Sequence, residues 1–539
     1  MASFIGTTGN DAFQGLPSHN NSFSEIGLGF DRVVGGARKD YVSLGLTDTR
    51  LDSLDGGDGL DVLDLTKMQL ATSTQPMLIE IRLGEAGTDG SISGRWLTSA
   101  NGQFGIQVNP IATIRSFETV IGSRYNDLIT GSSAADTLSG GDGNDTIDGR
   151  GGNDILRGDA GRDTLKGGTG GNYVDGGDGD DVISMTFDLS RDALLRDTVI
   201  GGSGLDTLTF EPTAANVLGV VVSLSTEFAP SISLPGVPVA PPSIDTGFIT
   251  SKAAASASIT QTFGEGTVTG IENVTGTNGA DVIIGDRVGN VLRGGANDDL
   301  LSGETGADQL FGDAGNDTFE SYADGASDVI NGGSGIDTVT YHRAAQQVIV
   351  TLAEPGSEGT TSVYAPGPTG IPSFFLEDRL IDVENLVGSR HNDRLQGNSA
   401  VNDLKGGDGG DYLFGMGGND VLNGGRGGDD LTGGAGADIF RIWDLGTGTE
   451  ADEIMDFATG VDRIDLSGFF SNARTNHWAS SAQPAPDLIG SAGFSGDGDA
   501  QVRVFQQSGL TRVQLDFGDG IADVDVLVHG IVAAGDFLF

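Results

Sequence analysis

The chain of 539 residues has no cysteine. That absence excludes a disulfide scaffold, a thiolate zinc site, an iron–sulfur cluster and a thiol nucleophile. Basic residues are scarce, with 29 Lys and Arg against 76 Asp and Glu, a formal charge of -47 and a pI near 4.1. Phosphate backbones and anionic lipid surfaces need basic patches, so neither nucleic acid nor an anionic membrane surface is an expected partner. No apolar run approaches the roughly 18 residues of a membrane span. Even the stretch from Val217 to Leu224 is broken by Gly219. The opening Met1-Ala2-Ser3-Phe4-Ile5-Gly6 lacks a basic region followed by an apolar one, and no Sec-type signal peptide is expected. His-Glu-x-x-His, Gly-x-Ser-x-Gly and Walker A patterns are all missing. The histidines, His19, His342, His391, His477 and His529, are dispersed and read as surface or packing residues.

What the chain has in abundance is glycine, 90 residues, and aspartate, which outnumbers glutamate by 60 to 16. High glycine and high charge can signal disorder, but hydrophobic residues still make up 37% and fall at regular intervals. Glycine opens seven consecutive nonads at 122, 131, 140, 149, 158, 167 and 176. Five more open at Gly276, Gly285, Gly294, Gly303 and Gly312, and six at Gly388, Gly397, Gly406, Gly415, Gly424 and Gly433. Lone nonads open at Gly56, Gly201 and Gly332. The eighth position is aliphatic or Phe throughout, as in Ile129, Leu138, Ile147 and Leu156. The sixth is acidic with few exceptions: Asp61, Asp127, Asp136, Asp145, Asp154, Asp163, Asp181, Asp206, Asp281, Asp299, Asp308, Asp317, Asp337, Asp393, Asp411, Asp420, Asp429 and Asp438. Asn172, Asn290 and Asn402 are the exceptions and lower the charge of their sites.

An apolar residue between two others suits a very short strand, and Gly-Gly-x-Gly reverses the chain because glycine takes positive φ freely. Two nonads then make one flattened turn, and residue i stacks beside i+18. The predicted fold class is all-β: a parallel β-roll or β-helix solenoid, with three repeat blocks, strand inserts between them and a C-terminal β cap. Stacking sets like carboxylates about 4.8 Å apart. They repel by roughly 0.8 kcal/mol in bulk water and about 3 at an effective dielectric of 20. A divalent cation between turns removes that repulsion. Carboxylates and bare carbonyls form an all-oxygen set that favours Ca²⁺ over Mg²⁺. Counting the loops gives about a dozen ions, enough to neutralise roughly half of the net charge. The repeats are therefore expected to fold on binding calcium. Opening turns, whose fourth position is Tyr125, Ala134, Val288, His391 or Ala400 instead of glycine, read as caps with weak or no metal.

A longer unit recurs three times. A lone nonad is followed by alternating strands, such as 78–83, 220–224 and 348–352, then by the phrase Phe117-Glu118-Thr119, Ile271-Glu272-Asn273 or Val383-Glu384-Asn385, then by a block. Glu118, Glu272 and Glu384 are read either as ligands at the mouth of the ladder or as caps. The Pro-rich stretches 230–242 and 355–372 read as surface loops. The domain plan is a degenerate repeat region at 1–55, with irregular nonads at 6–14 and 35–43, and then lone nonad plus insert at 56–121. Block one follows at 122–184, insert at 185–275, block two at 276–320, insert at 321–387, block three at 388–441 and a C-terminal region at 442–539.

The consensus Gly-Gly-x-Gly-x-Asp-x-apolar-x resembles the calcium-binding RTX (repeats-in-toxin) family. The resemblance implies that each ion sits between loops on the same side of the coil. Ala437-Asp438-Ile439-Phe440, Asp452-Glu453-Ile454-Met455-Asp456-Phe457 and Asp462-Arg463-Ile464-Asp465-Leu466-Ser467 resemble the region that follows the repeats in serralysin-type secreted proteases. The ending Ala534-Gly535-Asp536-Phe537-Leu538-Phe539 resembles an uncleaved type I secretion signal, and the family implies export through an ABC transporter. The expectation is an extracellular, calcium-dependent, non-enzymatic structural protein that self-associates into a surface layer or matrix. A secreted adhesin, or a polysaccharide-modifying enzyme with its site in an insert, are the alternatives.

Overall fold

The structure is a computed structural model. It describes residues 2–5, 11–26, 31–44, 46–47, 52–70, 78–85, 88–100, 103–186, 197–211, 219–224, 247–252, 262–322, 324–366, 372–442, 451–467, 487–490, 492–493, 501–516 and 524–538. Regular structure there is almost entirely β-strand. The chain divides into two compact units, Met1–Asp281 and Val282–Phe539.

In the first unit the repeat spacing becomes the strand register. Ile129 pairs with Ile147, Ile147 with Leu165, and Leu165 with Ile183, each 18 residues on and each parallel. On the opposite sheet Leu138 pairs with Leu156 and Leu156 with Val174. These eighth-position side chains are fully buried between the two sheets. A nonad contributes one such residue, so a turn holds only two, and no turn has a core until its neighbours are stacked on it. The irregular N-terminal region joins the same stacks in slightly longer turns. Phe4 pairs with Phe23, Phe23 with Val42, and Val42 with Leu63. Of its two irregular nonads, 35–43 lies on described residues, while 6–10 of the first lies outside them.

The second unit repeats the scheme. One stack runs Ile283, Leu301, Phe319, Val339, Leu386, Leu404, Leu422, Phe440, Ile464. The C-terminal region prolongs it, because Phe537–Leu538 lies parallel to Ile464 and Asp465. The opposite sheet is closed by Val524–Val528, parallel to Asp452–Ile454 and continued by the antiparallel strands Leu510–Asp516 and Gln501–Gln507.

Each insert is a three-stranded antiparallel meander set into one sheet. The first comprises Leu78–Arg82, Gly90–Ala100 and Gln103–Arg115. The end of its last strand pairs with the preceding turn, Ile114 opposite Leu54, and its first strand with the following one, Ile81 opposite Ile129. The insert Val348–Thr351, Glu358–Pro366 and Pro372–Ile381 does the same in the second unit, with Leu380 opposite Ile330 and Val350 opposite Leu395. The middle insert, Gly219–Ser223, Gly247–Lys252 and Thr262–Thr269, enters through Val268 opposite Val199. The Pro-rich stretch 230–242 lies outside the described residues, as does 367–371 of the other.

Candidate metal centre: the aspartate ladders

The sixth residue of a nonad ends the glycine turn and immediately precedes the strand, so its side chain sits where the turn meets the core. All eighteen aspartates named from the sequence are at most 3% exposed. One oxygen of each carboxylate has a structural task. The backbone N–H of Asp127 donates to Asp145 Oδ1 at 2.7 Å, Asp145 to Asp163 at 2.7 Å, Asp163 to Asp181 at 2.8 Å and Asp181 to Asp206 at 2.8 Å. On the other side Asp136 donates to Asp154 at 2.8 Å. In the second unit Asp299 donates to Asp317, Asp317 to Asp337, Asp411 to Asp429 and Asp420 to Asp438, all at 2.8 Å. The carboxylates thus satisfy the one N–H per nonad that the short strands leave unpaired.

The second oxygen separates the aspartates into two classes. Among the described residues, Oδ2 of Asp61, Asp145, Asp154, Asp163, Asp181, Asp206, Asp308, Asp317, Asp337, Asp411, Asp420, Asp429 and Asp438 is buried with no hydrogen-bond partner. In every one of these nonads the second residue has positive φ, from +67° at Glu304 to +117° at Gly407. In opening nonads it does not, and the side chain is satisfied locally. Asp127 Oδ2 accepts the Ser123 N–H at 2.6 Å and its Oδ1 the Ser123 hydroxyl at 3.0 Å. Ser132 serves Asp136, Thr277 serves Asp281 and Ser389 serves Asp393 in the same way. The positive φ turns the second residue's N–H away from the carboxylate and leaves a buried anionic oxygen, which costs several kcal/mol unless something compensates it.

Asn172 shows what fits beside that oxygen. Its Oδ1 takes the ladder bond from Asp154 at 3.0 Å, while its Nδ2 donates to the carbonyl of Gly168, the positive-φ second residue of its own nonad, at 3.3 Å. Aspartate in the same pose would set a carboxylate oxygen against a carbonyl oxygen, and a cation is the group that reconciles them. The donors on offer are carboxylate and main-chain carbonyl oxygens, hard ligands of the kind Ca²⁺ takes. Among the described residues no three acidic or histidine side chains form a ready-made cage, so carbonyls must supply much of any coordination shell. The residues present fit the ion.

Burial drives the electrostatics. It pushes Asp145 and Asp411 up to about 8, and Asp61, Asp154, Asp308, Asp337 and Asp420 up to about 7. The ladder N–H bonds pull the other way, and repulsion from neighbouring acids adds to the rise. Repulsion between stacked carboxylates is the smaller effect, and desolvation outweighs it.

Two further features were invisible in the repeat count. Glu118 Oε2 accepts the Asp61 N–H at 2.9 Å, Glu272 that of Asp206 at 2.8 Å, and Glu384 that of Asp337 at 2.9 Å. The glutamates of the recurring phrase thus stand in for the next aspartate where an insert interrupts the ladder. At the far end the C-terminal region carries the ladder one turn on, with Asp452 accepting the Asp429 N–H at 3.2 Å and Asp462 that of Asp438 at 3.0 Å, while Asp456 accepts the N–H groups of Gly433 and Gly434 at 2.9 and 2.8 Å. The described histidines stay apart, with His529 against Glu453 and His342 beside Thr340 and Arg343.

Comparison with known families agrees with this geometry. The RTX calcium-binding nonapeptide repeat (4 copies) matches residues 121–156, 148–183, 267–287, 289–319 and 322–340. The Peptidase M10 serralysin C terminal matches residues 378–537, which include the third block. The chain therefore carries RTX repeats, which bind calcium, and a serralysin-type C-terminal region. No curated protein matches it. Among solved structures, the solution structure of the AlgE6R3 subunit from the Azotobacter vinelandii mannuronan C5-epimerase is 29% identical over 28% of this chain and 81% of that one, with a TM-score of 0.21.

Proposed function

We propose that this is a secreted, non-enzymatic protein whose aspartate ladders take up calcium outside the cell, and that the folded stack serves a structural role in a surface layer or extracellular matrix. The observation that carries the reading is the set of buried Oδ2 atoms without partners, each in a nonad whose second residue has positive φ. Those thirteen aspartates are the proposed calcium ligands. Asp127, Asp136, Asp281 and Asp393, held by their own Ser or Thr, are proposed as metal-free caps, and Asp299 keeps its assignment as a ligand from the repeat pattern alone. About a dozen ions remains the expected load.

Secretion is supported by the serralysin C-terminal match and by the chemistry of weak sites. Carbonyl-rich sites of this kind fill at extracellular millimolar calcium and stay empty at cytosolic levels, so the chain would travel unfolded through an ABC transporter and fold outside. The non-enzymatic reading rests on the M10 match being confined to the C-terminal region and on the missing His-Glu-x-x-His. Circular dichroism tests folding: strand signal should appear with calcium and disappear in excess chelator at neutral pH, and an unchanged signal would defeat the proposal. Electron microscopy tests the role. Ordered assemblies at millimolar calcium are expected, and particles that stay monomeric there would count against it.

A further inference from the structure

The first insert carries a feature that the repeats do not explain. Its strands Gly90–Ala100 and Gln103–Arg115 form a hairpin paired out to Ala100 opposite Gln103. The body holds only the base of this ribbon. Pairing with Leu78–Arg82 stops at Arg95, and pairing of the other strand with Asp52–Asp55 begins at Ala112. Among the described residues, the outer edge of the strand from Gln103 to Ile111 faces no further strand, so its main-chain donors and acceptors on that side form an open template.

The sequence makes this edge unlike the rest of the molecule. From Trp96 to Ile114 there is no charged residue, and the first proline is Pro110. Every nonad from Gly122 to Ser184, in contrast, carries at least one charge. Two copies of a chain with net charge -47 repel over most of their surface. The hairpin is where they meet without that penalty. The other inserts are uncharged over similar lengths, but Pro366 and Pro372 flank the outer end of the third hairpin, and the second has prolines from Pro230 to Pro242. Proline removes the N–H an edge needs, a common protection against pairing. The first hairpin has a single proline, Pro110, near its base, and the strand from there out to Gln103 lacks that protection.

We infer that the edge strand Gln103–Ile111 pairs antiparallel with the same strand of a second copy, joining two molecules through a two-fold β-ribbon contact. The inference deepens the assembly reading by naming the surface that brings copies together. The ribbon leaves the calcium ladders untouched, so its disruption should spare folding.

The test uses the full chain in millimolar calcium, with mass measured by light scattering and assemblies viewed by electron microscopy. Wild type should be dimeric or larger. Gln107→Glu and Gln107→Lys, placed on the open strand, should each raise the concentration at which dimers form by tenfold or more, with circular dichroism and calcium stoichiometry unchanged. An equimolar mixture of the two should restore pairing, because opposite charges then meet across the edge. Ser373→Glu, on the proline-flanked hairpin, should leave the dimer as it is. If Gln107→Glu pairs as wild type does while large assemblies persist, the edge is the wrong surface and the assembly reading survives. If wild type forms dimers that never grow, the edge stands and the lattice reading falls. A monomeric wild type overturns both.

Discussion

Removing calcium should leave a protein whose stability falls as pH rises, opposite to the usual acid unfolding. The carboxylates responsible are buried with raised pKa values, about 8 for Asp145 and Asp411 and about 7 for Asp61, Asp154, Asp308, Asp337 and Asp420. In the unfolded chain they ionise near 4. The folded state therefore binds more protons between those values, and each carboxyl contributes stability that is fully present below about pH 4 and lost as pH passes through about 7 to 8. A rise of about three units is worth roughly 4 kcal/mol. Two or three such groups match the whole stability of an ordinary domain, about 5–15 kcal/mol. Metal-free protein should accordingly lose its strand signal near pH 8 and regain much of it near pH 5, a proton standing in for the ion. Calcium should flatten the profile and release protons as it binds. The assay is far-UV circular dichroism with thermal melts on protein stripped at high pH and dialysed free of chelator, since chelators weaken in acid. A melting temperature that is level or rises from about pH 5 to pH 8 would refute the reasoning.

Substitutions separate the ion from the ladder. Asp145→Asn should keep the bond to Asp127 and lower the calcium stoichiometry measured by calorimetry, while raising metal-free stability by about 2 kcal/mol or more; Asn172→Asp should do the reverse. Gly140→Ala places a Cβ 2.1 Å from Asp145 Oδ2 and 2.8 Å from its Cγ, and should cost about 3 kcal/mol or more in denaturant titrations with calcium. Met416, half exposed with φ +77°, holds a second position that many nonads give to glycine, and Met416→Gly should stabilise by about 1 kcal/mol in the same titration.

The stack was legible in the sequence because its period is the register: Ile129, Ile147 and Leu165 stand at the same nonad position and lie side by side. The aspartates were legible as a column, and so was the idea that opening turns differ. The reason they differ was sought at the fourth position, whereas the decisive residue is the second, where Ser123, Ser132, Thr277 and Ser389 replace glycine and feed their aspartates. That signal lay in the alignment of nonads, but its meaning depends on a backbone angle that no spacing reveals. The task of Glu118, Glu272 and Glu384 was equally hidden, because their partners lie 57, 66 and 47 residues earlier across an insert. Insert strands could be read from alternation, but their order in the sheet is set by long-range pairing.

Crystals grown in millimolar calcium and measured for anomalous scattering would test the central claim most directly. Ions should lie beside the buried Oδ2 atoms of residues such as Asp145, Asp163, Asp411 and Asp429, with none beside Asn172 or the serine-held Asp127. Equally well-ordered aspartate rows with no ion beside them would contradict it.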